Sequence, residues 1–100
     1  MYISVRRYTI HDAGAVDEIV RRVTEGFVPI LSSSPGFQAY YAYHAGGNTI
    51  SSISIFDDEA GMEESNRRAA DWVRQNLAQF VTGPAEISSG EARAHVLAKV

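Results

Sequence analysis

The sequence contains no cysteine, which removes disulfides, thiolate nucleophiles and zinc–thiolate centres from consideration. It has no long apolar run either. Nothing approaches the ~20 consecutive apolar residues that cross a bilayer, and the first residues lack the apolar core of a secretory signal; the cytoplasm is the expected location, with no membrane partner. A strong excess of one charge is also missing. Nine Lys and Arg against twelve Asp and Glu leave a formal charge of −3, and the arginines are interleaved with acids instead of forming a stripe, which argues against nucleic acid as a partner. The chain has no GxSxG elbow, P-loop or GxGxxG pattern. Its three histidines, His11, His44 and His95, form no HExxH or HxH pair. The last two are predicted on opposite edge strands, three strand spacings or about 14 Å apart. No metal and no cofactor are expected.

What is present is an ordered alternation of periodicities in 100 residues, 45% hydrophobic and 21% charged. That is the composition of one globular domain, residues 1–100. Strand-like alternation covers residues 2–8, 37–44, 49–56 and 85–97, and helical spacing covers 13–28 and 58–80. The order strand, helix, strand, strand, helix, strand, with Ala45-Gly46-Gly47-Asn48 joining the middle strands, predicts a ferredoxin-like α+β domain. Its antiparallel sheet has the order 4-1-3-2, with both helices on one face. This strand order is shared with RNA-binding domains, but the third strand, TISSISIF, lacks their basic and base-stacking residues.

In the first helix Val16, Ile19, Val20, Val23 and Phe27 form one apolar stripe. Asp12 is a candidate N-cap, and Asp17–Arg21 and Glu18–Arg22 are i,i+4 pairs. Pro29 should stop or kink this helix, with Ser32-Ser33-Ser34-Pro35-Gly36 making the connection. The second helix starts among Asp57, Asp58 and Glu59. It carries Ala69, Ala70, Val73, Leu77 and Phe80 inward and the pairs Glu63–Arg67 and Glu64–Arg68 outward. Both polar faces mix the two signs of charge, unlike a membrane-binding helix.

A two-residue Gly46-Gly47 turn sets Tyr40 opposite Ile53 and Gln38 opposite Ile55. Ile3, Val5, Ile53, Ile55, Tyr40 and Ala42 then lie beneath the helices. The other face carries Tyr2, Ser4, Arg6, Tyr8, Ser52, Ser54, Phe56, Phe37, Tyr41 and Tyr43. So many aromatics on one face predict burial against a second copy. An odd-length loop would exchange the faces of the second strand.

The single tryptophan, Trp72, sits at the edge of the second helix's apolar stripe, with Arg68 and Asn76 one turn to either side. It has two readings: a core residue with its N–H at the rim, or the wall of a small-molecule pocket between helix and sheet.

Pro35-Gly36-Phe37, the run from Ser52 to Phe56 into Asp57-Asp58-Glu59-Ala60, and the stretch Asn66-Arg67-Arg68-Ala69-Ala70-Asp71-Trp72-Val73 together resemble an antibiotic biosynthesis monooxygenase (ABM) type domain of the dimeric α+β barrel superfamily. The resemblance implies a homodimer whose sheets pair into a barrel with the helices outside. It also implies a pocket lined by Trp72, with Asn76, Arg68, Tyr40 and Arg7 as further candidates for contact with a small aromatic ligand. The haem-degrading members pair the helix Trp with an Asn on the first strand and a His about ten residues after it. This chain has Arg6 or Arg7 and Thr82 in those regions, which disfavours haem cleavage. The polyketide oxygenases have an Asn one turn before the Trp, where this chain has Arg68, with Asn76 one turn after it. Two functions remain: a cofactor-independent monooxygenase or oxidase acting on a phenolic or polyketide-like substrate, and a non-catalytic small-molecule-binding or stress-related barrel. Arg7 and Arg68 could hold a phenolate; no catalytic residue or base is evident.

Overall fold

The computed structural model describes residues 1–99. Strands β1 (Tyr2–Thr9), β2 (Phe37–His44), β3 (Thr49–Phe56) and β4 (Glu86–Glu91) form one antiparallel sheet in the order β2-β3-β1-β4. This is the predicted order read from the other edge. Helices α1 (Val16–Arg22), α2 (Val28–Ser32) and α3 (Glu59–Asn76) pack on one side of it. β4 is shorter than the predicted 85–97. Glu91 pairs with Tyr2 and the Ala92 N–H donates to the Met1 carbonyl at 2.8 Å, the last bond of this ladder. Val96 and Leu97 beyond it are 92% and 82% exposed.

The first helical arm does not stop at Pro29. After a 3₁₀ turn (Ala13–Ala15) capped by the Asp12 carboxylate on the Gly14 N–H, the chain runs through α1, a π-turn (Val23–Phe27) and α2 without a break. Pro29 falls in the first turn of α2, immediately after the widened turn, where its missing N–H costs least. Arg21 pairs with Glu18 and Glu25 instead of the predicted Asp17, while Arg22 pairs with Glu18 as expected. α3 is capped by Asp58 on the Gly61 N–H and ends at Asn76, short of the predicted 80. Its outward pairs are Glu64 with Arg67 and Arg68, and Arg67 with Asp71; Glu63 does not take Arg67, although Glu64–Arg68 forms as predicted.

The sheet presents the opposite face to the helices from the one predicted. Ser4, Arg6, Ser52, Ser54 and Phe56 are buried beneath the helices, while Ile3, Val5, Ile53 and Ile55 point the other way and remain half-buried. The hairpin contributes a second change. Its register, with Tyr41 opposite Ile53 and His44 opposite Ile50, and an Ala45 N–H to Thr49 carbonyl bond give a three-residue loop, Gly46-Gly47-Asn48. One extra residue exchanges the two faces of β2 relative to β3. The two reversals cancel for β2, so Tyr40 and Ala42 lie on the helix side as predicted and Tyr41 and Tyr43 on the open side. Phe37 does not follow them. A bulge between Phe37 and Ala39 turns its ring onto Phe56, centroids 5.8 Å apart, inside the core.

Two apolar clusters hold the helices down: Phe27, Leu31, Phe56, Met62 and Ala69 at one end, and Ile10, Ile19, Ile50 and Leu77 at the other. Trp72 packs against both. The π-turn presents Gly26 to its ring so closely that a Cβ there would lie 2.8 Å from Cζ2. Gly26→Ala therefore overpacks by ~1–3 kcal/mol, partly offset by the ~1 kcal/mol gained when alanine replaces a helical glycine. A net loss of about 1 kcal/mol in chemical denaturation is expected; a stabilised variant would show that this packing is loose.

Candidate functional site

β1 carries an arginine to the centre of the helix-covered face. Arg6 lies between Ser52 on β3 and Ile87 on β4, and the small Ser52 leaves room for the long side chain to lie along the sheet. Only 1% of Arg6 is exposed. Its Nη1 donates to Asn66 Oδ1 at 2.9 Å and its Nη2 to Ser54 Oγ at 2.7 Å. Asn66, projecting from α3, also accepts from Ser4 Oγ at 2.5 Å and donates to Ser89 Oγ at 3.2 Å, while Ser89 donates to Ser4 at 2.9 Å. Every one of these partners is neutral. Among the described residues no carboxylate pairs with Arg6, and Arg6 Nε and Ser52 Oγ have no hydrogen-bond partner. A buried cation left without a counter-charge is costly, so the arrangement favours an anionic or strongly accepting oxygen beside it.

Two spaces adjoin this arginine. A small cavity of about 40 Å³ is bounded by Arg6, Tyr8, Phe27, Tyr40, Ser52 and Trp72, among others. A larger cleft of about 400 Å³ runs between α3, β1 and the approach to β4, with Arg6, Tyr8, Asn66, Val73, Arg74 and Ile87 in its wall. Arg6 and Tyr8 border both. The Tyr8 hydroxyl is raised above its ordinary pKa by burial, which Arg6 opposes in part. Tyr40 is raised by burial as well, against the pull of Arg6 and Ser52. Both phenols therefore stay protonated at neutral pH and can donate hydrogen bonds, but neither is a base.

The residues singled out from the sequence do not meet at one site. Trp72 and Tyr40 meet around Phe27, with centroids 5.6 and 6.1 Å from its ring, and both border the smaller cavity. Asn76 is exposed, donates to the Trp72 carbonyl within its own helix and, with Trp72, Arg22, Glu25 and Gly26, lines a separate open surface pocket of about 320 Å³. Arg68 is held by Glu64 and reaches Ser34 at 3.4 Å, away from the cleft. Arg7 lies on the opposite face of the sheet, exposed, between Ser51 and Glu86. Strand alternation turns it away from the helices, and its neighbour Arg6 takes the interior position. Arg6, Asn66, Ser4, Ser54 and Tyr8 were missed as site residues. A signal for them exists in the chain: Ser4, Ser52 and Ser54 are small hydroxyls in register around one arginine, on a strand face otherwise rich in large residues.

The sequence matches no protein-family model and no curated protein. Solved structures do match. A monooxygenase from the gene ActVA-Orf6 of Streptomyces coelicolor, in complex with nanaomycin D, superposes with a TM-score of 0.78 at 14% identity, over 98% of this chain and 92% of that one. SnoaB, a cofactor-independent oxygenase from Streptomyces nogalater, superposes at 0.64 with 21% identity over 95% of both chains. A dimeric ferredoxin-like protein from an uncultured marine organism does so at 0.72 and 12% identity, over 97% and 98%. The class that architecture and neighbours define is the ferredoxin-like α+β fold. Within it, this chain has the fold of an ABM-type domain, in keeping with the resemblance seen in the sequence.

Replacing Arg6 by methionine removes a buried charge and keeps most of the apolar stem. Arg6→Met is expected to stay within about 1 kcal/mol of the parent stability or to exceed it. Asn66→Ala strands Arg6 Nη1 and the Ser4 hydroxyl and is expected to cost about 1–3 kcal/mol. Denaturant unfolding of both variants checks the contrast, and a large loss for Arg6→Met would mean that the guanidinium is structural.

Proposed function

We propose that this chain is an ABM-type, cofactor-independent oxygenase acting on a small phenolic or polyketide-like aromatic bound in the cleft beside Arg6. One observation carries the reading: a buried arginine with neutral partners and a free Nε–H, at the floor of a cleft that is otherwise largely apolar. Such a cation lowers the pKa of a phenol or enol whose oxygen faces it and holds the resulting anion. Asn66 and Ser54 position the guanidinium, and the Tyr8 hydroxyl supplies a further donor. For an anthrone-like substrate the deprotonated ring carbon bonds to dioxygen. The peroxide takes up a proton, the remaining hydrogen on that carbon leaves as a proton, and the O–O bond breaks. One oxygen atom stays as the new quinone carbonyl and the other leaves as water, so no external reductant is needed. Among the described residues no carboxylate or histidine lines the cleft; the substrate's proton therefore departs to water at the rim.

Support also comes from the two structural neighbours described as a monooxygenase and a cofactor-independent oxygenase. The same lack of a lining base favours the competing reading, a binding barrel without turnover. Purified protein free of metal and flavin is expected to consume oxygen with an anthrone and form the quinone. Arg6→Met should lower the rate about 100-fold, in the range of a lost transition-state donor, and Trp72→Phe should lower it less. Binding of phenols without oxygen uptake would replace the oxygenase by the binding barrel.

The proposal includes a homodimer. The open sheet face gathers Ile3, Val5, Ile53, Ile55 and the exposed Tyr41 and Tyr43, an apolar surface of the kind monomers rarely leave in water. The predicted interface residues Ser4, Arg6, Ser52 and Ser54 are excluded from it, because the helices cover them. A second copy placed face to face would bury on the order of 2,000 Å². Sedimentation at micromolar concentration is expected to give a dimer that Ile53→Glu converts to monomer; a monomeric parent protein would refute the interface.

A further inference from the structure

The larger cleft holds a second cation that the proposed reaction does not use. Among the described residues, Arg74 and Arg6 are the only charged ones in its wall, in a chain whose acids outnumber its bases twelve to nine. The two arginines differ in setting. Arg6 is buried at the floor, whereas the Arg74 side chain is 69% exposed at the rim, with Nη2 on Asp71 Oδ1 at 2.5 Å. Its Nε and Nη1 carry no hydrogen bond among the described residues and can receive a second carboxylate beside Asp71.

α3 sets the distance between them. Asn66, which holds the Arg6 head group, and Arg74 are eight residues apart on the helix, about 12 Å along its axis at ~1.5 Å per residue. Ala70 and Val73 lie between them on the same wall, and Ala78, Val81, Pro84 and Ile87 complete the apolar lining. The cleft therefore has an arginine at each end, the outer one ion-paired to Asp71, and is apolar in the middle, with a volume in the range of small-molecule sites.

We infer that the natural ligand is a two-ended aromatic acid: a phenol or enol oxygen at Arg6 and, across a flat apolar body, a carboxylate at Arg74. Arg74 is thus a specificity-determining residue. This rests on the phenol-binding reading of the Arg6 cleft and adds the second anionic group. Because the rim pair is solvent-exposed, its share is small, about 1 kcal/mol or fivefold in affinity.

Calorimetric titration of the full chain at neutral pH with 6-hydroxy-2-naphthoic acid and with its methyl ester tests the inference. The acid should bind the parent protein about fivefold more tightly than the ester. Arg74→Gln should bring the acid to the level of the ester and leave the ester unchanged, Arg74→Lys should restore most of the preference, and Arg6→Met should weaken both ligands. Equal binding of acid and ester to the parent, or a preference that survives Arg74→Gln, would overturn the role of Arg74 and leave the phenol-binding cleft standing. Failure of both compounds to bind the parent protein would overturn the two together.

Discussion

The burial of one positive charge organises this domain. A guanidinium taken out of water carries a desolvation cost of several kcal/mol, and Arg6 meets it without a carboxylate, through Asn66 on α3 and Ser54 on β3. Those bonds tie helix to sheet through a polar pin between the two apolar clusters. The side chains around the guanidinium are small: Ser52 and Ser54 on β3 and Ser4 on its own strand. A hydrophobic residue at position 6 would hold the layers together as well.

The consequence reaches the far side of the sheet. Because strand residues alternate, committing Ser4, Arg6, Ser52 and Ser54 to the helices commits Ile3, Val5, Ile53 and Ile55 to the open face. The domain thus places its more polar strand set in its interior and leaves a β-branched surface outside. The site beneath the helices and the surface proposed to meet a second copy arise from the same register, so a one-residue slip would destroy both together.

The helical layer shows how local irregularity serves packing. Trp72 packs against both clusters, and its ring lies so near Gly26, inside the π-turn, that a Cβ there would collide with it. A regular helix with a side chain at that position would hold the arm off the indole. The turn also absorbs Pro29, which is why the arm continues into α2 and delivers Leu31 to the core.

Much of the architecture was legible in the sequence, because it follows from local rules. Period-two and period-3.6 patterns set the element order and the sheet order, Asp12 was readable as a cap, the second long helix started among Asp57, Asp58 and Glu59, and Gly46-Gly47 marked the hairpin. Trp72 and Tyr40, candidates for a pocket wall in the sequence, both border the smaller cavity. The site itself was not legible, for a definite reason. Alternation divides a strand into two faces without saying which one the helices cover, and hydrophobicity pointed to the isoleucine face because the value of the serine face lies in hydrogen bonds to a residue some sixty positions away, Asn66. That choice moved the interior arginine from Arg7 to Arg6. Sequence determined the elements and their order; only the tertiary contact of α3 with β1 decided which side of the sheet became the interior, since burying a charge depends on partners that local sequence does not contain.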